Sequence, residues 1–270
     1  MEQTKLFEKS STTYSNSTLF FGEKEKEKIT ILYGFLRYID NLVDNDSPDP
    51  KELEKAIKQY RTGEGENNMI KDFIALKKEC GFEEEWITSF LESMKQDLHK
   101  KSYETIKETK QYIYGSAEVV GLMMAKILNL PKESYAFAQK QGMAMQYINM
   151  IRDIAEDIEF GRNYIPKEEM KKHGLNSLDE ETAKANKEKF EKLIRSEIKR
   201  YYKWQKEAEK GYKYIPRKYL VPIKTAVDMY NWTAKKIYED PLIIYREKVK
   251  PKKSRVILTA IKNKVTIWKN

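Results

Sequence analysis

The segment Ile29–Asn45, ITILYGFLRYIDNLVDN, carries two side-chain stripes at helical spacing. One stripe is apolar and predicts a buried helix face: Ile29, Leu32, Leu36, Ile39 and Val43. The other places two carboxylates one turn apart beside an aromatic ring and an arginine: Tyr33, Arg37, Asp40 and Asp44. Like charges at this spacing repel by about a few tenths of a kcal/mol. Such a pair alone is typical of a solvated helix surface, so its meaning depends on the rest of the chain.

A second segment, QGMAMQYINMIRDIAEDIEFGRNYIP at 141–166, repeats the pattern. Its polar stripe again follows three- and four-residue spacing: Gln146, Asn149, Asp153, Glu156 and Asp157. Each acidic stripe has an arginine beside it, Arg37 in the first and Arg152 in the second. Magnesium prefers oxygen ligands and commonly joins carboxylates to phosphates, and arginine binds phosphate through its planar fork. The two segments therefore favour a site for magnesium and a diphosphate; the alternative is that both arginines pair with neighbouring carboxylates.

Long helical periodicity, few glycines and the lack of short alternating strands predict an all-α fold. Helix breaks are expected at SPDP (47–50), at TGEGENN (62–68), around Gly81, at Leu130–Pro131, at 163–166 and near Gly174. No linker divides the 270 residues, so we expect a single domain over 1–270.

Composition excludes several classes of protein and site. No stretch has the roughly 18 consecutive apolar residues of a membrane span, and the polar start MEQTKLFEKSSTTYS lacks a signal-peptide core, so we expect a cytoplasmic protein. One cysteine and two histidines cannot form an intramolecular disulfide or a His/Cys zinc site. A bound metal must therefore be held by oxygens.

The net charge of +9 is concentrated after Pro241, where nine basic residues face only Glu247. These residues accompany an apolar series: Val256, Ile257, Leu258, Ile261, Val265, Ile267 and Trp268. Two interpretations stay open, peripheral contact with an anionic membrane and a final helix packed on the core. A nucleic-acid-binding module is suggested by net charge alone, without a motif, and we expect no nucleic-acid partner.

The two aspartate segments bring the chain to a resemblance. LYGFLRYIDNLVD (32–44) and QYINMIRDIAEDIEFGRNYIP (146–166) resemble the first and second aspartate-rich motifs of squalene, phytoene and dehydrosqualene synthases, in the same order and separation. TTYSNSTLFF (12–21), MKQDLHKKSYET (94–105) and YIYGSAEVVGLMMAKIL (112–128) resemble further segments of that family. The similarity covers about Thr13 to Pro166, and the C-terminal third matches only loosely.

The resemblance implies an isoprenoid synthase-like helical bundle around a central apolar cavity, with named site residues. It implies that the metal ligands are Asp40, Asp44, Asn149, Asp153 and Asp157, of which the four aspartates also count as catalytic. It implies diphosphate binding or its support by Ser17, Arg37, Arg152 and Arg162. Tyr114 matches a catalytic tyrosine near the reacting carbons, although a core tyrosine with a satisfied hydroxyl is the alternative. Gln146 matches a polar residue of the cavity wall that binds substrate.

The implied reaction is a magnesium-dependent, head-to-head condensation of two prenyl diphosphates through a cyclopropyl diphosphate. The preferred product is phytoene from two geranylgeranyl diphosphates. The alternative is dehydrosqualene or squalene from two farnesyl diphosphates, with NADPH needed only for squalene. Asn41 and Glu118 depart from the family pattern, which has aspartate and glycine there in many members.

Two other classes of function compete with this interpretation. A head-to-tail synthase or a terpene cyclase would share the helices and magnesium clusters, but the former usually carries D-D-x-x-D motifs, which this chain lacks. A non-catalytic relative acting as a scaffold would be marked by lost metal ligands, and both motifs are intact here.

Overall fold

A computed structural model describes residues 20–44 and 48–269 of the chain. The all-α prediction is confirmed, since 78% of the structure is helical without a strand in the described ranges. Ser102 and Asn163 form an isolated parallel β-bridge in the described part of the chain. The α-helices in chain order are α1 (Glu23–Asn41), α2 (Pro50–Thr62), α3 (Asn68–Cys80), α4 (Glu84–Asp97), α5 (Ile106–Ile113), α6 (Val119–Ile127), α7 (Tyr135–Arg152), α8 (Ile154–Glu159), α9 (Lys167–Lys172), α10 (Glu180–Ala185), α11 (Lys187–Glu209), α12 (Arg217–Glu239) and α13 (Lys253–Lys269).

The helix boundaries follow the capping chemistry of the sequence. Asp49 accepts a hydrogen bond from the Glu52 amide at 2.9 Å, and Pro50 occupies the first turn of α2, where its missing N–H costs nothing. Gly63 ends the same helix with φ 75°, a left-handed conformation that glycine adopts without a Cβ clash. Gly81 follows the end of α3 in the same conformation, with φ 65°. The breaks predicted at 62–68 and around Gly81 are therefore confirmed.

Two buried hydrophobic clusters organise the bundle. The first is formed mainly by helices α1 to α4 and α6, and the second mainly by α5, α7 and α9 to α12. A cavity lies where they meet, because its lining takes Leu36, Phe90 and Met94 from the first cluster and Tyr112 and Tyr230 from the second. The bundle therefore surrounds a central space, as the family resemblance implies.

The wall between α6 and α7 is built by close contact of main chains. A Cβ atom on Gly121 would overlap the carbonyl oxygen of Ala138, and one on Gly142 would overlap the carbonyl oxygen of Ala117. Only glycine lets the backbones approach this closely. Both glycines also line the cavity, so this part of its wall is largely backbone.

A π-helical segment, Tyr114–Glu118, joins α5 to α6. Such single-turn π segments occur frequently at functional sites because they change which side chains face a given direction. Here Ser116 and Ala117 of the segment line the cavity. The widened turn thus lies directly in the cavity wall.

Candidate active site

One face of α7 lines the cavity over most of the helix. Seven of its residues line the cavity, at alternating spacings of one and three: Phe137, Ala138, Gln141, Gly142, Met145, Gln146 and Asn149. With a rise of 1.5 Å per residue, the twelve steps from Phe137 to Asn149 span about 18 Å. The cavity has a volume of about 320 Å³, which lies in the range of small-molecule pockets. We call the end at Asn149 the mouth and the end at Phe137 the far end.

The first acidic segment forms one side of the mouth. Arg37 and Asp40 of α1 both line the cavity, and Arg37 Nη1 donates to Asp40 Oδ2 at 2.5 Å. Asp44 lies one turn beyond, and its amide donates to the Asp40 carbonyl at 2.8 Å. The predicted shared face of Arg37, Asp40 and Asp44 is thus formed, partly by α1 and partly by the turn that follows it.

The second acidic segment forms another side of the mouth. Asn149 lines the cavity near the end of α7, and Asp153 occupies the junction between α7 and α8 with φ −98° and ψ 12°. Arg152 binds both oxygens of Asp153, through Nε at 2.8 Å and Nη2 at 2.5 Å. Both arginines of the two motifs therefore pair with neighbouring carboxylates. Contact with a diphosphate would require part of this pairing to open.

The end of α8 turns the chain back across the mouth. Gly161 has φ 68°, its amide donates to the Ile158 carbonyl at 2.9 Å, and the Arg162 amide donates to the Asp157 carbonyl at 2.7 Å. This is the Schellman arrangement of helix ends. It directs the buried Arg162 side chain towards Asp44, whose Oδ1 accepts from Arg162 Nη2 at 2.5 Å. Arg162 therefore ties the second segment to the first.

The carboxylates at the mouth lie close together, and their pKa values are shifted as a result. Burial, together with repulsion from Asp44 and Asp97, raises the pKa of Asp40 to about 6, against attraction by Arg37 and Arg162. Burial, together with repulsion from Asp153 and Asp44, raises the pKa of Asp157 to about 8. Buried carboxylates that repel each other favour the neutral form. The mouth is therefore short of positive charge, which a bound cation would supply.

Sequence reasoning assigned no role to Asp97, which the structure buries beside the mouth. Its two carboxylate oxygens accept hydrogen bonds from Tyr112 at 2.6 Å and Tyr164 at 2.8 Å. Burial raises the pKa of Asp97 to about 6, opposed by these two tyrosines and by Arg162. Asp97 lies in the segment 94–105 that resembles the family. The sequence of that segment alone does not show which residues Asp97 contacts in the fold.

The expectation for Tyr114 is corrected by the structure. The Tyr114 hydroxyl donates to Glu85 at 2.9 Å at an exposed position, and Tyr114 is absent from the cavity lining, which contains Tyr112. Residues two apart on a helix point in nearly opposite directions, so only one of the two tyrosines can face the cavity. Tyr112, rather than Tyr114, therefore faces the cavity.

Of three further residues from the sequence analysis, two differ in their position relative to the cavity. Gln146 lines the cavity as expected. Glu118 is not among the lining residues, so its carboxylate does not reshape the cavity. Ser17 lies outside the described residues.

The C-terminal third, which sequence reasoning left without roles, closes the remaining side of the cavity. Helix α12 contributes Pro222, Ile223, Ala226 and Tyr230 to the lining. The Lys248 ammonium pairs with Glu156 and lies 3.9 Å from Asp153 Oδ1. This lysine therefore belongs to the mouth, although it lies 92 residues beyond Glu156 in the chain.

The residues of the mouth fit a hard cation. Asn149 Oδ1 is buried and makes no hydrogen bond within the described structure, which leaves an oxygen acceptor free at the cavity wall. The neighbouring carboxylates are oxygen donors, the ligand type that magnesium prefers. Within residues 20–44 and 48–269, no three acidic, histidine or cysteine side chains are grouped closely enough to hold a metal ion by themselves. The predicted ligands instead lie spread along the mouth.

Comparison with known proteins identifies the family. The squalene/phytoene synthase profile matches residues 7–256 of the chain. The chain belongs to the squalene/phytoene synthase family. Members of the squalene/phytoene synthase family are prenyltransferases, so this chain falls in that class of enzyme. Membership in this family supports head-to-head condensation of prenyl diphosphates as the type of reaction.

Individual relatives of the squalene/phytoene synthase family agree in sequence and in fold. A 15-cis-phytoene synthase of Enterobacter agglomerans is 26% identical over 247 residues, which cover 85% of this chain and 82% of that protein. Phytoene synthase 1, chloroplastic, of Zea mays is 28% identical over 218 residues, which cover 76% of this chain. The chain spans about half, 53%, of that plant protein. The crystal structure of a dehydrosqualene synthase in complex with ligand superposes with a TM-score of 0.80 at 19% identity, covering 100% of this chain and 96% of the other.

Proposed function

We propose that this protein is a magnesium-dependent synthase that condenses two geranylgeranyl diphosphates head to head, through a cyclopropyl diphosphate, to phytoene. One observation carries the proposal. Asp40 and Asn149, one residue from each aspartate-rich motif, line the mouth of the same apolar cavity. Charged head groups and hydrocarbon chains would thus occupy the two ends of one space.

The mouth would act on the diphosphate. We propose Asp40, Asp44, Asn149, Asp153 and Asp157 as the residues that hold magnesium. Magnesium at this position supplies positive charge for the oxygens of the leaving diphosphate. Arg37, Arg152 and Arg162 would bind the same oxygens through charge-assisted hydrogen bonds, once the diphosphate competes with the carboxylates they now contact.

The cavity would protect the cation that follows. When the allylic C1–O bond breaks, both electrons leave with the diphosphate oxygen, and C1 becomes electron-deficient. The double bond of the second substrate then attacks C1, and loss of one proton closes the cyclopropane. Apolar side chains such as Val120, Met124 and Ile223 line this space and would exclude water, which would otherwise capture the cation.

A second ionisation would break the C–O bond of the cyclopropyl diphosphate, again releasing diphosphate. Rearrangement joins the two C1 carbons, and loss of a proton gives phytoene without a reductant. Squalene would require a hydride from NADPH in place of that proton loss. Tyr112 lies in the wall of this cavity, where its ring could face the cations formed in both steps.

The span of the lining residues along α7 supports the longer substrate. An extended chain advances about 1.2 Å per main-chain bond, as the reach of an extended polypeptide shows. At four main-chain bonds per isoprene unit, three units span about 14 Å and four units span about 18 to 19 Å. The α7 face between Asn149 and Phe137 spans about 18 Å, so it matches four units. The phytoene synthases among the relatives agree with this choice.

Product analysis tests the proposal. The purified protein is incubated with magnesium and either farnesyl or geranylgeranyl diphosphate, with and without NADPH, beside an Asp40→Ala/Asp153→Ala variant. We expect phytoene from the longer substrate, without NADPH, and no product from the variant. Squalene or dehydrosqualene would correct the substrate but keep the mechanism. A folded protein that yields no hydrocarbon and binds no magnesium with diphosphate would overturn the proposed function and favour a scaffold.

A further inference from the structure

The outward face of α13 exposes a continuous apolar stripe. Among the described residues, six large hydrophobic side chains are exposed, and all but Tyr202 lie on this helix: Ile257 (41%), Leu258 (67%), Ile261 (56%), Val265 (49%) and Trp268 (58%). The last four recur at spacings of three, four and three, which places them along one side of a helix. Single exposed apolar residues are ordinary, but a contiguous stripe marks a contact surface.

This stripe is not required for packing the helix on the bundle. The opposite face of α13 is buried through Val256 and Ala260. Asn263 on that same face donates to Asp228 of α12 at 2.8 Å. The packed final helix, one of the two predicted alternatives for the tail, is therefore present, and it leaves a second apolar face directed outward.

Positive charge borders the stripe on both sides. The sequence 253–269 contains five basic residues and no acidic residue. At 100° per residue, Lys253 and Lys264 project along one edge of the stripe, and Arg255 and Lys262 project along the other. All four of these side chains are exposed. An apolar stripe between two basic edges is the pattern of helices that lie in a membrane interface.

The charge pattern selects the occupant. A second copy of the chain would bring the same four flanking positive charges against this face, and like charges across an interface are costly. A nucleic acid would satisfy the lysines but not the exposed Leu258 and Trp268. An anionic lipid surface satisfies both, because acyl chains accept the apolar stripe and headgroups accept the lysines. We propose that the outward face of α13 docks this protein on an anionic lipid bilayer.

The docking helix lies close to the cavity. Helix α12 lines the cavity with Ile223 and Ala226 and contacts α13 through Thr225 and Asp228. Helix α12 thus separates the cavity from α13. None of the described helices is long and apolar enough to cross a bilayer, so the proposed contact is with its surface.

Vesicle co-sedimentation tests the proposal on the full chain. The vesicles contain equal parts of phosphatidylglycerol and phosphatidylcholine, or phosphatidylcholine alone. We expect binding to the anionic vesicles that weakens with salt. The variant Leu258→Ser/Ile261→Ser/Val265→Ser keeps the charge and removes the stripe, and we expect it to lose binding. Its matched control is Tyr202→Ser, an exposed aromatic elsewhere, which should bind like the wild type.

A second pair of variants tests the local charge. At about one factor of five per basic residue near an anionic surface, Lys262→Gln/Lys264→Gln should weaken partitioning about 10- to 30-fold. Lys51→Gln/Lys58→Gln removes the same charge from exposed positions on α2 and should change it less than threefold. Equal losses in both pairs would show that net charge alone attracts the protein and would overturn the proposal.

Trp268 provides a direct readout of the contact. Its emission should shift to shorter wavelength with anionic vesicles, and Trp268→Phe should lose that shift while the other three tryptophans remain. An unchanged spectrum in the wild type would refute docking by this face. Stripe-dependent self-association without vesicle binding, measured by sedimentation velocity, would refute it in favour of a second copy. Turnover of dispersed substrate by the variants is measured separately, since docking can fail while the proposed chemistry holds.

Discussion

The mouth of the cavity is lined by charged side chains, whereas its far end is lined mainly by apolar ones. At the mouth, Asp40 and Asp157 have pKa values raised by burial and by neighbouring carboxylates, so the fold tolerates repulsion there. At the far end, Ala138, Phe137 and Gly211 present an apolar surface with small and aromatic side chains. The mouth therefore has the properties that set whether a diphosphate reacts, and the far end has those that set which chain fits. Variants at one end should leave the property of the other unchanged.

The strongest test of this comparison changes the mouth. Asp40→Asn and Asp153→Asn remove one carboxylate charge each while keeping the side-chain shape. If both walls share the diphosphate site, each variant should lower kcat/KM about a thousandfold, a loss typical of removing one strong electrostatic contact from a transition state. Steady-state assays measure this loss, and chromatography should show an unchanged product.

Exposed Glu54→Gln on α2 is the control for these two variants. It removes a carboxylate charge of the same kind away from the cavity and should keep wild-type kinetics. Full activity in either Asp40→Asn or Asp153→Asn would remove that wall from the site.

The pH dependence of stability tests the repulsion at the mouth. The pKa of Asp157 rises from 3.8 to about 8 on folding, so the folded chain binds more protons than the unfolded chain between these values, and stability falls as pH rises. Asp157→Asn cannot ionise, so its Tm relative to wild type should increase from pH 5 to pH 8. A tenfold change in acid strength corresponds to about 1.4 kcal/mol, or about 3 °C in Tm, and we expect at least that gain.

Calorimetry in metal-free buffer at both pH values measures this gain. If the Tm difference between the wild type and Asp157→Asn were the same at both pH values, the raised pKa of Asp157 would be contradicted. The mouth would then not differ from the far end in carboxylate repulsion.

A tyrosine pair sharpens the boundary between the cavity and the outer surface. Tyr112→Phe removes the donor to buried Asp97, which should destabilise the protein by about 1 to 2 kcal/mol. It should also lower kcat about tenfold, as loss of a supporting hydrogen bond commonly does. Tyr114→Phe removes a hydroxyl that contacts Glu85 at the surface and should change kcat less than twofold. Kinetics and urea unfolding of both variants give the comparison, and the reverse order would restore Tyr114 to the site.

The smallest expected effect lies at the far end. Phe137→Ala should lengthen the cavity there, so the rate with a substrate one isoprene unit longer than geranylgeranyl diphosphate should rise about threefold relative to the shorter one. The catalytic rate with geranylgeranyl diphosphate should fall only slightly. Competition between the two substrates, analysed by product mass, measures the ratio. A change in rate without a change in the ratio would place length control elsewhere.

Sequence patterns located the mouth because its chemistry is local. Carboxylates and arginines at three- and four-residue spacing occupy one helix face wherever the helix goes, so Arg37, Asp40, Asn149 and Asp153 could be predicted from spacing and resemblance. Helix ends were equally accessible, since Asp49 and Gly63 act on their own turns. The confirmed all-α fold follows from the same local periodicity.

The missed residues depend on contacts between distant segments. Asp97 meets Tyr164, which is 67 residues away, and Lys248 meets Glu156, which is 92 residues away. No local pattern encodes such partners. The exchange of Tyr114 for Tyr112 has a different cause, because both are tyrosines in one helical stretch and only the tertiary packing of that stretch decides which faces inward.

The glycine contacts between α6 and α7 restrict how this enzyme can diversify. Because Gly121 and Gly142 bring main chains together, a larger residue at either position would push the helices apart and destabilise the bundle. A lineage that acquires new products by single mutations is therefore expected to keep these two positions and to vary the residues at the end of the cavity instead. The width of the cavity would thus stay constant among related enzymes because it depends on these two glycines. The length of the cavity could change during evolution through substitutions at its far end.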